Sequence, residues 1–195
     1  MIRSEQDGRV RRITLAEPLR RNVLHSSFAR QFLTELTDAE ADPGTGAILI
    51  DAEGQVFCGG LDFTDPPEDA TFTFGQAAAK PIVVAMKGVA TSAGVALLAN
   101  AHIVVAAQGS SFGLTDIREG RFHRGVQSAV RVALGERRTR ELSLTGRIFT
   151  TPDAVNWGLV HAAVPAFELD DRVLAVAMGL AGANPDAVRA VLAHR

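Results

Sequence analysis

The sequence predicts an α/β fold, and two observations carry the prediction. Short, continuous apolar runs rich in β-branched residues recur at 47–50 (AILI), 82–86 (IVVAM) and 103–107 (IVVAA), the signature of strands buried on both faces. Between them lie stretches with helical spacing of apolar residues. Strands that alternate with helices mark an α/β domain.

Taken in order, residues 9–15 (RVRRITL) alternate in polarity and read as a half-exposed strand, ended by Glu17-Pro18. Phe28, Phe32 and Leu36 recur at helical spacing across 26–41, with Ser26 or Ser27 as the expected N-cap. Asp42-Pro43-Gly44 stops that helix. Residues 53–62 (EGQVFCGGLD) read as a glycine-rich loop, and 65–69, with Pro66-Pro67 and acidic neighbours, as an exposed, mobile segment. After the run at 82–86 come a turn at Lys87-Gly88 and a cluster of small residues at 90–94 (ATSAG) that opens a helix over 93–101. The run at 103–107 leads through a Gly/Ser turn into a short strand ending on Asp116. Helices follow over 126–134 and 137–144, with Gly135 between them. Thr151-Pro152-Asp153 opens another helix with proline in its first turn, ending near Trp157-Gly158. Residues 159–164 read as a strand closed by Pro165, and 169–192 as helix broken at Asn184-Pro185. This divides the chain into a core over 1–165 and a short C-terminal helical segment over 166–195.

A chain of 195 residues suffices for one domain with a sizeable core. A formal net charge of -2 gives no support for nucleic acid or an anionic membrane as the partner. A single cysteine, Cys58, excludes an internal disulfide and fits a reducing compartment, so a cytoplasmic protein is expected. The N-terminus, MIRSEQDGR, lacks the apolar region of a signal peptide, and the most apolar stretch is broken by Lys87, Asn100 and His102, as in a core and not a membrane span. No metal site is expected.

The chemistry concentrates in residues 80–116. Small residues at the start of the helix after Ser92 allow close approach to the backbone. The N–H groups there precede any intrahelical partner, which makes them donors for developing negative charge.

Five stretches, in order, resemble one family. They are Glu17-Pro18-Leu19-Arg20-Arg21-Asn22; Phe57-Cys58-Gly59-Gly60-Leu61-Asp62; Lys80-Pro81-Ile82 onward to Gly94; Phe112-Gly113-Leu114-Thr115-Asp116; and Leu144-Thr145-Gly146-Arg147 onward to Trp157-Gly158-Leu159-Val160. Each is weak alone, but together and in register they make the chain similar to the crotonase, or enoyl-CoA hydratase/isomerase, superfamily. The resemblance implies a crotonase-like spiral of ββα units, assembled as a homotrimer or hexamer, and an acyl-CoA substrate with no separate cofactor. It also implies an oxyanion hole made by the backbone N–H groups of Leu61 and Ala93, with Gly60, Asp62 and Gly94 shaping it. Losing one such donor typically costs about 3–4 kcal/mol of transition-state stabilisation. Arg20, Arg21 and Asn22 become candidates for substrate binding, the arginines through CoA phosphates.

Hydratases of the family use two acids. Here the first position falls on Ala96 and the second, twenty residues later, on Asp116. Hydration needs one group to activate water and another to deliver a proton; one carboxylate hardly does both. It does suffice to shuttle a proton between two carbons of an enolate, as the family's enoyl-CoA isomerases do, so isomerase is favoured over hydratase. Asp is about 1.5 Å shorter in reach than Glu. Asp116 is the acid/base candidate; the plain alternative is a turn cap or an arginine partner. Glu119 and His123 are secondary acid/base candidates, more simply an arginine partner and a loop histidine. Lys87 reads as a solvated turn residue and Cys58 as a small filler.

Ala90-Thr91-Ser92-Ala93-Gly94 also resembles the nucleophile turn of Clp-type serine proteases, which share the superfamily fold. A nucleophilic serine needs a base in reach. No histidine stands around 112–117, where the resemblance would place one, so protease is disfavoured and Ser92 reads as tight packing or a cap.

The segment between Asp62 and Lys80 is brief for the family, and so is the tail after Pro165. The shortening and Ala96 motivate other readings: a non-catalytic acyl-CoA-binding or assembly protein, an acyl-CoA decarboxylase, or a hydratase with a displaced acid.

Overall fold

The computed structural model describes residues 1–194. The chain begins with a hairpin, β1 (Ile2–Asp7) and β2 (Val10–Leu15), followed by α1 (Ser26–Ala41). It then repeats one unit three times. In each repeat a strand enters one sheet, a short strand enters a second sheet, and a helix follows. The repeats are β3 (Ala47–Ala52), β4 (Val56–Cys58), α2 (Phe74–Ala77); β5 (Ile82–Met86), β6 (Val89–Thr91), α3 (Ala93–Ala99); and β7 (Ile103–Ala107), β8 (Ser111–Gly113), α4 (Arg124–Thr145). The chain closes through β9 (Ile148–Thr150), α5 (Thr151–Asn156), β10 (Ala162–Val164), α6 (Leu169–Ala181) and α7 (Pro185–Ala193).

The larger sheet has the order β1-β2-β3-β5-β7-β10, parallel except for the β1–β2 pair. The smaller has the order β4-β6-β8-β9, with only β8–β9 antiparallel. Parallel neighbours in the larger sheet must be joined by crossovers, and those crossovers build the spiral. The fully buried β5 (IVVAM) explains the continuous apolar run: both of its faces are covered. One face, with Ile48, Ile50, Ile82, Val84 and Val104, joins the main core under α1, α3 and α4. The other, with Leu49, Val83, Ala85 and Val105, packs on Leu169, Val173, Ala177 and Ala181 of α6. The helical tail thus covers the back of the sheet. No helix among the described residues is long and apolar enough to cross a membrane.

Several local expectations are corrected. The N-cap of α1 is His25, whose Nδ1 accepts the Phe28 N–H at 3.4 Å, and not Ser26 or Ser27. The stretch 53–62, expected as a loop, holds β4, and β6 follows the turn at Lys87-Gly88 where no strand was expected; three residues are too few to show a period of two. β1, unread in the sequence, is an edge strand with mostly exposed polar side chains. The helix after Ser92 stops at Ala99, capped by Asn100. Leu159 and Val160 lie in a turn before β10, both donating to the Ala154 carbonyl. Asp116 stands in a 3-10 turn, Thr115–Glu119, and not on a strand.

Lys80 explains its own place in the Lys-Pro pair. Its Nζ donates to the carbonyls of Ala39 at 2.7 Å and Asp42 at 2.6 Å, tying the C-terminus of α1 to the start of β5.

Candidate functional site

Two backbone segments meet where β4 and β6 end. On the first, Gly59 N–H donates to the Arg21 carbonyl at 2.8 Å, and Gly60 takes φ 114, a left-handed value that favours glycine. Leu24 N–H then bonds the Gly60 carbonyl and Asp62 N–H bonds the Leu24 carbonyl, both at 2.9 Å. This parallel bridge pairs Leu24 with Leu61 through the groups on either side of Leu61, so the Leu61 N–H itself stands outside the ladder. On the second segment Ala93 begins α3. The first bond that closes the helix is Ala96 N–H to the Ser92 carbonyl at 3.1 Å, which leaves the Ala93 N–H ahead of it. With only seven residues α3 has little dipole to offer; its contribution is the donor itself.

Small residues bring the segments together. A Cβ added at Gly94 would lie 2.7 Å from the Cys58 carbonyl oxygen and 3.2 Å from the Ala90 Cβ. A Cβ added at Gly60 would lie 3.8 Å from the Ser92 Cβ.

Ser92 joins these donors to Asp116. It is 1% exposed and takes φ 48, ψ -104, a conformation that L side chains rarely adopt. Its N–H donates to the Gly113 carbonyl at 2.8 Å and its Oγ to Asp116 Oδ1 at 2.5 Å. The sheet register sets this up: Thr91 pairs with Gly113, so the residues just past β6 and β8 face each other. Burial raises the Asp116 carboxyl above the ordinary aspartate range, and the Glu119 charge adds to that; the Ser92 hydrogen bond and the charges of His123 and Arg121 oppose it.

Ala96 is fully buried in the main core and brings no acid. Glu119 is exposed and pairs with Arg121 at 3.1 Å, while the Arg121 guanidinium lies 5.0 Å from the Phe63 ring centroid, spanning from the Asp116 turn to the Leu61 loop. His123 caps α4, its Nδ1 accepting the Val126 N–H at 3.5 Å, with its ring edge-on to Phe72. Arg20 and Arg21 are exposed, and Arg20 reaches Asp62 at 3.6 Å. Asp62 accepts from the Thr64 hydroxyl and N–H, and these bonds hold its carboxyl below the usual range. Asn22 is fully buried and its amide is occupied by backbone: Oδ1 accepts from Glu17 N–H, and Nδ2 donates to the Glu53 and Val56 carbonyls. It staples the turn that carries the arginines and offers no free group to a ligand. Burial pushes the Cys58 thiol up to about 12, so it is not a nucleophile at neutral pH. A cleft of about 660 Å³ lies elsewhere, between Gly75, Ala99, Ala129 and Val191, and touches none of Leu61, Ser92 or Asp116.

The sequence reading missed the Ser92–Asp116 bond. The only signal for it was the ATSAG cluster, which marks a tight turn without naming a partner.

Residues 5–194 match the sequence profile of a family described as Enoyl-CoA hydratase/isomerase. The chain belongs to this family. Among similar proteins, a probable enoyl-CoA hydratase of Mycobacterium tuberculosis is 31% identical over 199 residues, covering 95% of this chain and 77% of the relative. An enoyl-CoA hydratase structure from Mycobacterium paratuberculosis superposes with a TM-score of 0.87 at 32% identity, covering 98% of this chain and 85% of that one. The human enoyl-CoA hydratase domain-containing protein 3 shares the fold, with a TM-score of 0.92 at 24% identity, over 98% of this chain and 81% of its own. The crotonase-like fold expected from the five motifs is therefore the fold of this enoyl-CoA hydratase/isomerase family member.

Proposed function

We propose that this protein binds an acyl-CoA thioester with its carbonyl oxygen between the N–H groups of Leu61 and Ala93 and moves a carbon–carbon double bond. Asp116 removes a proton from the α-carbon, the electron pair passes into the thioester as an enolate, and the two N–H groups carry the charge that develops on oxygen. Asp116 then returns the proton at the γ-carbon, so a β,γ-enoyl thioester becomes the conjugated α,β form.

The observation that carries this reading is the pairing of one half-buried carboxylate, Asp116, with an alanine, Ala96, at the place of the first acid. A raised carboxyl suits a group that must both take and give a proton. Gly60, Gly94 and Asp62 shape the donor loop, and Arg20 and Arg21 supply exposed positive charge beside it for the CoA phosphates. A trimeric or hexameric assembly belongs to the same reading, and sedimentation would weigh it.

The relatives are named as hydratases, so the deciding experiment sets the two reactions side by side. Purified protein is given a β,γ-enoyl-CoA and, separately, an α,β-enoyl-CoA. Conjugation of the first without water addition to the second is expected, and Asp116→Asn should abolish it while CoA-thioester binding persists. Hydration of the α,β substrate at a comparable rate would overturn the isomerase reading. Tight thioester binding with neither reaction would mark a binding protein.

A further inference from the structure

We infer that Ser92 is an acyl-accepting nucleophile and that the protein hydrolyses acyl thioesters through it. The inference rests on the oxyanion hole proposed above but not on the double-bond shift. Four features of the turn support it. Ser92 sits between β6 and α3, on a strand–serine–helix turn with φ 48 and ψ -104. That sharp, strained strand-to-helix geometry is shared with nucleophile turns, although here the side chain is 1% exposed and its hydroxyl is directed at Asp116 inside the site and not out to solvent. The residues two before and two after it are small, and must be: a Cβ on Gly94 would come within 3.2 Å of the Ala90 Cβ. The N–H of the next residue, Ala93, is the oxyanion donor, as such turns arrange it. A carboxylate, Asp116, already accepts the hydroxyl proton at 2.5 Å.

The absence of a histidine at this turn argues against peptide hydrolysis and much less against thioester hydrolysis. An amide nitrogen must be protonated before it can leave. A thiolate leaves by itself, since a free thiol has a pKa of about 8.5. A direct carboxylate base therefore suffices for the easier substrate.

Asp116 takes the Ser92 Oγ proton as Oγ bonds to the thioester carbonyl carbon, and the carbonyl pair moves onto oxygen, held by the N–H groups of Leu61 and Ala93. Collapse breaks the C–S bond, and the CoA thiolate leaves, recovering the proton from Asp116. In the second half Asp116 takes a proton from water as its oxygen adds to the Ser92 ester, and collapse returns the proton to Oγ. The sum is thioester plus water giving carboxylic acid plus thiol.

A saturated substrate, butyryl-CoA, tests this, because it has no double bond to move. Thiol release is followed with a disulfide reagent; buried Cys58 gives little background. Acid-quenched protein is weighed and peptide-mapped for a butyryl group on Ser92. Wild type should release thiol and carry the adduct. Ser92→Ala, Ser92→Gly and Asp116→Asn should each lower release at least 100-fold and lose the adduct. Glycine suits the left-handed backbone, so Ser92→Gly tests the chemistry in a folded protein, checked by its melting curve. Conjugation of a β,γ-enoyl-CoA without thiol release or adduct would overturn the nucleophile and leave the enolate reading standing. Thiol release that survives in Ser92→Gly would also overturn it, pointing to direct attack by water. No reaction on either substrate would overturn both readings.

Discussion

The two halves of the proposed site are built by different means. The electrostatic half, the Leu61 and Ala93 N–H groups, is made of backbone and is fixed by what glycines and small residues permit. The proton-transfer half is made of side chains: an alanine where the family's hydratases have an acid, and one aspartate held by one serine. The first half is overdetermined by packing, through contacts of 58–60 with 90–94. The second depends on a single 2.5 Å bond between residues 24 apart in the chain. On the function proposed above, the charge-stabilising scaffold would persist within one fold while the chemistry it serves changes with two or three side chains.

The sharpest way to break the first half is Gly94→Val. Its Cβ alone would stand 2.7 Å from a backbone oxygen that has no room to retreat. We expect loss of soluble folded protein, or a drop of more than about 4 kcal/mol in stability from overpacking and strain, measured by denaturant unfolding. The sharpest way to break the second half is Asp116→Asn, which keeps an Oδ1 acceptor for Ser92 and removes the base. Turnover should fall by about 10²- to 10⁴-fold in steady-state kinetics, with the fold intact.

Ala96→Glu would sharpen the contrast. It places a carboxyl one helical turn after Ala93, where the first hydratase acid is missing, in a fully buried position. Stability should fall by several kcal/mol from burying a polar group, and hydration of an α,β-enoyl-CoA should rise above the wild-type level in the same preparation.

The pH dependence follows from Asp116. Because its carboxyl is raised, the folded state favours the protonated form. Its contribution to stability is therefore fully present below the ordinary aspartate pKa and is lost as pH rises through the raised value. Asp116→Asn should melt no lower than wild type at neutral pH, and its advantage should vanish in acid. Activity runs the other way: a base must be deprotonated, so kcat/KM should climb with pH through a value above the ordinary aspartate range.

The same contrast explains what the sequence disclosed. The spiral was legible because motif spacing records turns and crossovers, which local residues such as Gly60, Gly94 and Pro81 enforce. The expectation that the Leu61 and Ala93 N–H groups act as donors draws on the same residues. The gap at Ala96 was plain from the spacing to Asp116. Strands β4 and β6 were not, being too short to show a period, nor were His25 and His123 as N-caps, since serine and asparagine are the stronger signals. The Ser92–Asp116 bond was illegible because it follows from the register of β6 on β8, which pairs Thr91 with Gly113 and which no local pattern encodes.

The smallest effect is also the most diagnostic of how the halves are joined. Ser92 belongs to both, through its left-handed backbone and its bond to Asp116. Ordinarily glycine is the less stable replacement, by roughly 0.5–1 kcal/mol against alanine inside regular structure. Here alanine keeps the strain of φ 48 and loses the hydrogen bond, whereas glycine loses the bond but sheds the strain. Ser92→Gly should therefore be more stable than Ser92→Ala by about 1–2 kcal/mol, a few degrees in Tm. The reverse order would mean that the turn carries no strain, and that the serine stands there for packing alone.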